Sequence, residues 1–396
     1  MADGGQHRAV ADEPDTSTDR TPGGWRSRRR ISWAAGIVVA VLLIAGAAVM
    51  TNALRGSGTA DPAALRPDPS GSAPAFGPTA TPSPTPEPGA GLTGPLNLLL
   101  VGVDTRISDP DWEPHADAVL IMHVTKELDR AYLFSLPRDL VVDIPPFAKA
   151  KFGGQRTKLT HAMSYGSRSA DGKTKPSATQ GLELVETTVS RYTGIAAWDA
   201  SAVLTFDGFD NLVDALGGVD LNIDQRVASQ HRQPNGEHRP GNAGGDGYAG
   251  PQMVYEQGQR HLNGWQALDY SRQRYITGGD YARQRHQQQL IKAIIGRVVS
   301  EQLARDPNRL EQVIRALGET LVFSGRGQRV IDFAFALSGL RPEAITLVGL
   351  PGASVGKGGS YRGEQLTQAG TRFLTELRAG RVDAYLAANP KLVVTQ

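Results

Sequence analysis

The chain has 396 residues, of which 40% are hydrophobic, a formal net charge of +2 at pH 7, and no cysteine. That length admits two domains, or one large domain with accessory segments. The near-balanced charge argues against a global nucleic-acid-binding field, and the missing cysteines exclude disulfides, thiolate zinc sites and a cysteine nucleophile.

Residues 1–30 are polar, lack apolar periodicity and read as a disordered tail. The tail ends in WRSRRR, with Arg26, Arg28, Arg29 and Arg30 close together. Residues 31–50, ISWAAGIVVAVLLIAGAAVM, carry no charge and are long enough to span a bilayer's hydrocarbon core. The arginine bias places the N-terminus in the cytoplasm and everything after Met50 outside it. A cleaved signal peptide is the alternative. Small residues around Ala45 to Ala48 could form a cleavage site, but the apolar run exceeds a usual signal core. Residues 51–94 are rich in Pro, Thr, Ser, Ala and Gly, as in TATPSPTPEPGAG, and read as an extended linker open to O-glycosylation.

The folded part, residues 95–390, begins with a run from Leu96 to Val103, the pattern of a strand buried on both faces. Two further strands, Ala118 to Val124 and Ala131 to Leu136, flank KELDR at hairpin spacing. LVETTVSRYTG is helical in period. In FDGFDNLVDALGGVDLNI, Phe209, Leu212, Val213 and Leu216 repeat at helical spacing, Gly217 and Gly218 stop the helix, and Val219 to Ile223 resumes as a strand. A long helix to about Leu303, another from Asn308 to Thr320 and a strand from Ala344 to Leu350 complete one α/β domain, its central sheet covered by helices.

Ligands of open α/β sheets collect at strand ends. Asp104 and Arg106 follow the first strand, Asp117 precedes the second, and Arg138 and Asp139 follow the third. If the hairpin forms, Asp117 and Arg138 fall at one end of the sheet, and the set suits Mg²⁺ with a phosphate. Alone, each aspartate reads as a turn former or helix cap, and Arg138–Asp139 as a weak surface pair. Only the combination argues for a site.

A second concentration of cations is DYSRQRYITGGDYARQRHQQQ, Asp269 to Gln289. Ala267 to Tyr275 reads as a strand, which would put Arg272 and Arg274 on one face. Gly278 and Gly279 allow a tight turn, Asp280 can cap the next helix, and Arg283 and Gln287 share a helical face. These groups could converge on one anion, because guanidinium forks match phosphate or carboxylate edges. Arg285 and the other glutamines are expected on the wet side. His231, His238, His261 and His286 lack metal-like spacing, Ser164 lacks a nucleophile's setting, and Gly241 to Gly250 reads as a flexible insertion, a lid candidate.

Taken in order, LNLLLVGVDTR, HADAVLIMHV, SLPRDLVVDIP, KLTHAMSYG, FDGFDNLVDALGGVDLNI, HLNGWQALDYSRQRY and GGDYARQRHQQQLI resemble the LytR-CpsA-Psr family of cell-wall enzymes, over roughly Leu96 to Gly352. The resemblance implies a three-layer α/β/α sandwich with a central mixed sheet and an apolar tunnel for a lipid. It implies transfer of a glycopolymer from a polyprenyl-pyrophosphate carrier to peptidoglycan, as a phosphodiester on the C6 hydroxyl of N-acetylmuramic acid, with release of polyprenyl phosphate. By that resemblance Asp104 and Asp117 bind Mg²⁺, for which Mn²⁺ could substitute. Arg106, Arg138, Arg272, Arg274 and Arg283 surround the pyrophosphate. Asp280 and Gln287 match the acidic and amide positions of the last motif. Where the family commonly has Arg-Ser-Asp-Thr, this chain has His115-Ala116-Asp117-Ala118, so the contacts of the lost Arg and Thr are not carried over.

The partners implied are the lipid-linked glycopolymer, peptidoglycan and the cytoplasmic membrane, with no nucleic acid. Teichoic acid, teichuronic acid, arabinogalactan and capsule all stay open as the polymer. Asp104 and Asp139 stay open as the general base. The alternatives are a non-catalytic binder of lipid-linked glycans, a polyprenyl-pyrophosphate hydrolase and a transcriptional regulator. Protease added to intact cells is expected to cleave the chain beyond residue 50. Protection of that part until the cells are lysed would place it in the cytoplasm and overturn the assigned topology.

Overall fold

The structure is a computed structural model that describes residues 89, 91–103, 113–242, 247–300, 313 and 317–394. The apolar run 31–50, the tail before it, most of the linker, and Asp104 and Arg106 lie outside the described residues, as does most of the helix expected from Asn308. Among the described residues no helix is long and apolar enough to cross a membrane.

Strands β1 (Leu96–Val103), β2 (Ala116–Val124) and β3 (Ala131–Leu136) form an antiparallel meander, as the short KELDR interval requires. Next come the hairpin β4 (Val141–Ile144) and β5 (Gln155–Lys158), then helices α1 (Thr160–Ser167) and α2 (Ala178–Thr193). After β6 (Ala200–Leu204) and α3 (Phe206–Ala215), β7 (Val219–Ile223) leads to the short pair β8 (Val227–Ala228) and β9 (Val254–Tyr255), and β10 (Gly258–Leu262) returns onto β7. Helices α4 (Gly264–Arg272) and α5 (Gly279–Ser300) precede β11 (Leu321–Ser324), α6 (Val330–Ala336) and β12 (Ile345–Val348). The hairpin β13 (Gly352–Val355) and β14 (Gly363–Leu366) and helices α7 (Gln368–Arg378) and α8 (Val382–Ala388) end the chain.

The main sheet has the order β11-β6-β1-β2-β3-β12. It is mixed: β1 runs parallel to β6 and β3 to β12, while the other pairs are antiparallel. Both faces are buried, which explains why β1, β2 and β3 read as nearly continuous apolar runs. On one face Leu99, Val101, Ile121 and Phe134 join a core with Leu184, Val185 and Val189 of α2 and Phe373 and Leu377 of α7. Successive strand residues point to opposite faces, so Ser135 lies on the other side, where Gln288 of α5 donates to its hydroxyl at 3.1 Å. Helices therefore cover both faces, giving the expected three layers.

Local signals account for the helix limits. Ser177 accepts the Gln180 N–H to cap α2, and Gly194, at φ +73°, closes it. Thr205 caps α3, and Phe209, Leu212, Val213 and Leu216 are all buried beneath it, as their spacing requires. One expectation fails. Ala267 to Tyr275 is not a strand: Asn263 and Gln266 form a reciprocal capping box that starts α4, and Gln273 ends it. Arg272 and Arg274 thus do not share a strand face: Arg272 ends the helix and Arg274 lies beyond its cap. The glutamine run is also not on a wet surface. Gln284, Gln287, Gln288 and Gln289 are buried in α5, and Arg285 is partly buried in an ion pair with Asp224 at 2.6 Å.

Helices α1 and α2 cross closely because both present glycine. A β-carbon added at Gly166 would fall 2.7 Å from Leu184 Cβ and 3.0 Å from Gly181 Cα. Overpacking of this kind costs about 1–3 kcal/mol. Gly166→Ala is expected to destabilise the protein by that amount in urea unfolding, and a variant as stable as wild type would show that the two helices can move apart freely.

Candidate active site at the strand ends

The register of β1 against β2 slips where Asp117 stands. Gly102 pairs with Ala118 and Val103 with Ala116, so Asp117 is the extra residue of a β-bulge. A bulge takes a residue out of the ladder and re-aims its side chain. Here two oxygens of Asp117 accept from arginines. Its carboxylate Oδ1 accepts from Arg138 Nη1 at 2.6 Å, and its main-chain carbonyl accepts from Arg283 Nη1 at 3.2 Å. The Asp117 side chain is fully buried and that of Arg138 is 14% exposed. A charge so buried is tolerated only with a close counter-charge.

Arg283 is itself 2% exposed and reaches Asp280 through its other Nη at 2.8 Å. Asp280 stands in the first turn of α5, where a carboxylate is also favoured by the helix dipole. Gly278 and Gly279, at φ +92° and +56°, let the chain turn into that helix. Burial pushes the Asp280 carboxyl up, but Arg283, the Gln284 amide and Arg138 together outweigh it and hold the group below its ordinary range. Arg138 is held charged by Asp117, Asp139 and Asp280, despite burial. Gln287, one turn along α5 from Arg283, is buried as well.

Four of the expected residues, Asp117, Arg138, Asp280 and Arg283, thus form one contiguous cluster of ion pairs at a single end of the sheet. Arg272 is buried at the end of α4, its guanidinium 4.5 Å from the centre of the Phe206 ring. It also faces Asp210, whose carboxyl burial pushes up to about 7, and Asp269. Arg274, partly exposed beyond the helix, lies over the Tyr275 ring at 5.4 Å. Asp104 and Arg106 come one and three positions after the end of β1 in the sequence and lie outside the described residues.

Around the cluster lie Lys158, Tyr361 and Glu364, which sequence reasoning passed over, with Asp139, which it did not. Asp139 accepts from Lys158 Nζ at 3.1 Å and from the Tyr361 hydroxyl at 3.2 Å, and its main-chain carbonyl accepts the Glu364 N–H at 2.8 Å. Lys158 lies inside the KLTHAMSYG motif, but Tyr361 and Glu364 belong to the terminal hairpin and carry no periodic signal. His115 Nδ1 is 3.1 Å from the Glu113 carbonyl, and its ring meets that of His161 edge-on at 6.0 Å. Burial first, then the nearby His115, Lys158 and Arg138, push His161 toward its neutral form. Ser164 donates to Glu113 at 2.7 Å rather than to a base that could activate it. His286 is buried against Asp224 at 2.9 Å and stacked on Tyr270, a structural role. Across the base of the Gly241 to Gly250 insertion, Arg239 donates to the carbonyls of Gln230, Tyr248 and Gly250. Part of that insertion lies outside the described residues.

A family model described as the LytR_cpsA_psr family matches residues 81–376, and the chain belongs to that family. A polyisoprenyl-teichoic acid–peptidoglycan teichoic acid transferase, TagU, of Enterococcus faecalis is 26% identical over 256 residues, 63% of this chain and 70% of that protein. Biofilm regulatory protein A of Streptococcus mutans is 25% identical over 297 residues, 72% of this chain and 64% of its own length. Protein gbs0355 of Streptococcus agalactiae has a similar fold, with a TM-score of 0.55 at 21% identity over 73% of this chain and 88% of that one.

The Asp280–Arg283 pair has a testable acid dependence. With its folded pKa depressed, Asp280 stabilises the fold fully above the ordinary aspartate range near about 3.9, and that contribution fades as pH falls through the depressed value. Asp280→Asn is expected to lower Tm at pH 7 and to differ much less from wild type at pH 3. An equal difference at both values would show that the ion pair is not the cause.

Proposed function

We propose that the chain is a transferase that moves a glycopolymer from a polyprenyl-pyrophosphate carrier to peptidoglycan in cell-wall assembly. The observation that carries this reading is the bulged Asp117 held by Arg138 and Arg283 beside Asp280. Membership of the family and the transferase name of the Enterococcus relative support it.

In this reading the acceptor is the C6 hydroxyl of N-acetylmuramic acid. Its oxygen attacks the phosphorus that bears the polymer. The bond from that phosphorus to the oxygen of polyprenyl phosphate breaks, and the hydroxyl proton passes to a carboxylate, with Asp104 and Asp139 the candidates. Negative charge grows on the departing phosphate. Arg138, Arg283 and Arg272 are fixed by their packing, so little reorganisation is needed as they stabilise that charge. Arg106 and Arg274 complete the cationic wall, Gln287 contributes an amide donor, and Asp280 orients Arg283.

Asp117 offers a buried carboxylate, an oxygen donor of the kind magnesium takes. Magnesium is commonly held by one or two carboxylates with phosphate oxygens and water completing the shell, a role for Asp117 with Asp104. When bound, such an ion would neutralise charge on the pyrophosphate oxygens. The chain would act at the outer face of the cytoplasmic membrane, anchored by residues 31–50.

The test uses the full-length chain in detergent, Mg²⁺, a synthetic polyprenyl-pyrophosphate sugar and a peptidoglycan oligosaccharide. Mass spectrometry is expected to find a phosphodiester-linked product. Arg272→Ala and Asp104→Ala should lower its rate by about a hundredfold or more, and Arg283→Lys should lose activity because the ammonium lacks the fork. Donor binding without transfer across several acceptors would overturn the proposal in favour of a glycan binder.

A further inference from the structure

Among the described residues, the large apolar or aromatic side chains left exposed are Tyr275, Tyr281 and Tyr361, at 64%, 38% and 39%. Tyr281 follows Asp280 of the ion-pair cluster in α5, and Tyr361 reaches Asp139, the neighbour of Arg138. Two of these rings are also fixed in orientation. The Tyr281 hydroxyl donates to Glu364 at 2.6 Å, and the Tyr361 hydroxyl donates to Asp139 at 3.2 Å. Lys158 Nζ lies 5.0 Å from the centre of the Tyr361 ring.

Charge grades from the cluster to this rim. Arg138 and Arg283 supply cations suited to a pyrophosphate. On the tyrosine side the carboxylates Asp139 and Glu364 stand with one cation, Lys158, and Asp280 is close to both phenols. Carboxylates repel a second phosphate but accept hydrogen bonds from hydroxyls. An occupant of this rim therefore needs a flat C–H face for the rings and hydroxyls for the carboxylates, without net negative charge where it touches them. A pyranose ring has all three properties.

We infer that Tyr281 and Tyr361, with Glu364 and Asp139, form a subsite that binds a sugar ring of the acceptor glycan. The inference rests on the transferase reading for the word acceptor, and on the rim alone for the word sugar. Glu364 suits the role. Its amide is bonded to the Asp139 carbonyl, so it is fixed to the same loop as Arg138. Burial first, then Asp280 and Asp139, push its carboxyl up, despite the hydrogen bond from Tyr281. A group so placed gains from receiving a hydroxyl hydrogen bond.

The probe is the β-1,4-linked tetramer of N-acetylglucosamine, titrated into the full-length protein in detergent by calorimetry and saturation-transfer NMR, with inorganic pyrophosphate titrated separately. Wild type is expected to bind the tetramer. Tyr281→Ala and Tyr361→Ala should each weaken it at least tenfold while changing pyrophosphate affinity less than twofold. Tyr361→Phe, which keeps the ring face, should stay within threefold of wild type. Arg138→Ala should show the reverse pattern. Tetramer affinity unchanged in both alanine variants, or no saturation transfer in wild type, would overturn the subsite. The transferase reading fails separately: tyrosine-dependent tetramer binding in a protein that makes no phosphodiester product refutes the enzyme and keeps the sugar site.

Discussion

Everything at the candidate site depends on a single extra residue in β2. In a regular ladder the main-chain carbonyl of residue 117 would be spent on β1, and its side chain would join one of the two apolar layers. The bulge releases both. The freed carboxylate then requires a cation, because an isolated charge in a core of Leu, Val and Ile costs several kcal/mol. Arg138 supplies it from the loop after β3, and Arg283 reaches the carbonyl from the first turns of α5. Three elements far apart in sequence are thus locked to one another by polar bonds that the apolar layers alone could not direct.

Helix α5 extends that logic away from the strand ends. A helix across the face of a buried sheet is usually apolar where it touches the strands. This one brings Gln288 to the hydroxyl of Ser135 and to the Val348 carbonyl, at 3.1 and 3.2 Å. Its His286 and Arg285 both grip Asp224, in the loop after β7. Leucines would allow the helix to slide or rotate with modest loss, since hydrophobic contact is non-directional. Directional bonds set its rotation and depth, and therefore the position of Arg283. Conformational specificity of this sort is a physical reason for burying so many amides where apolar side chains would pack.

The legible part of the sequence was the part governed by periodicity and by turn chemistry. The buried meander, α3 with its Gly217-Gly218 stop, and β12 are legible directly, and the strand-end rule alone brings Asp117 and Arg138 together. Three things could not be read. The capping box at Asn263 competed with an alternating pattern that looked like a strand, and the cap won. The glutamines of α5 look like solvated residues because composition does not reveal that the helix is buried at Ala282 to Gln284 and at His286 to Ile291. The bulge, and the approach of Glu364 and Tyr361 to Asp139, are long-range facts: the first depends on strand register, and the second joins positions 139 and 364 through one backbone hydrogen bond.

That last bond divides the site along the chain. The cations of its ion-pair cluster come from the loop after β3 and from α5, which are woven into the sheet and its covering layer. The rim comes partly from a short antiparallel hairpin, β13–β14, attached through the Leu140–Glu364 bridge and the Glu364–Asp139 bond. The exposed positions of that hairpin, Ala353 and Ser354, can change without disturbing the buried ion pairs. Selection could therefore retune what approaches the phosphate while leaving intact the apparatus that grips it.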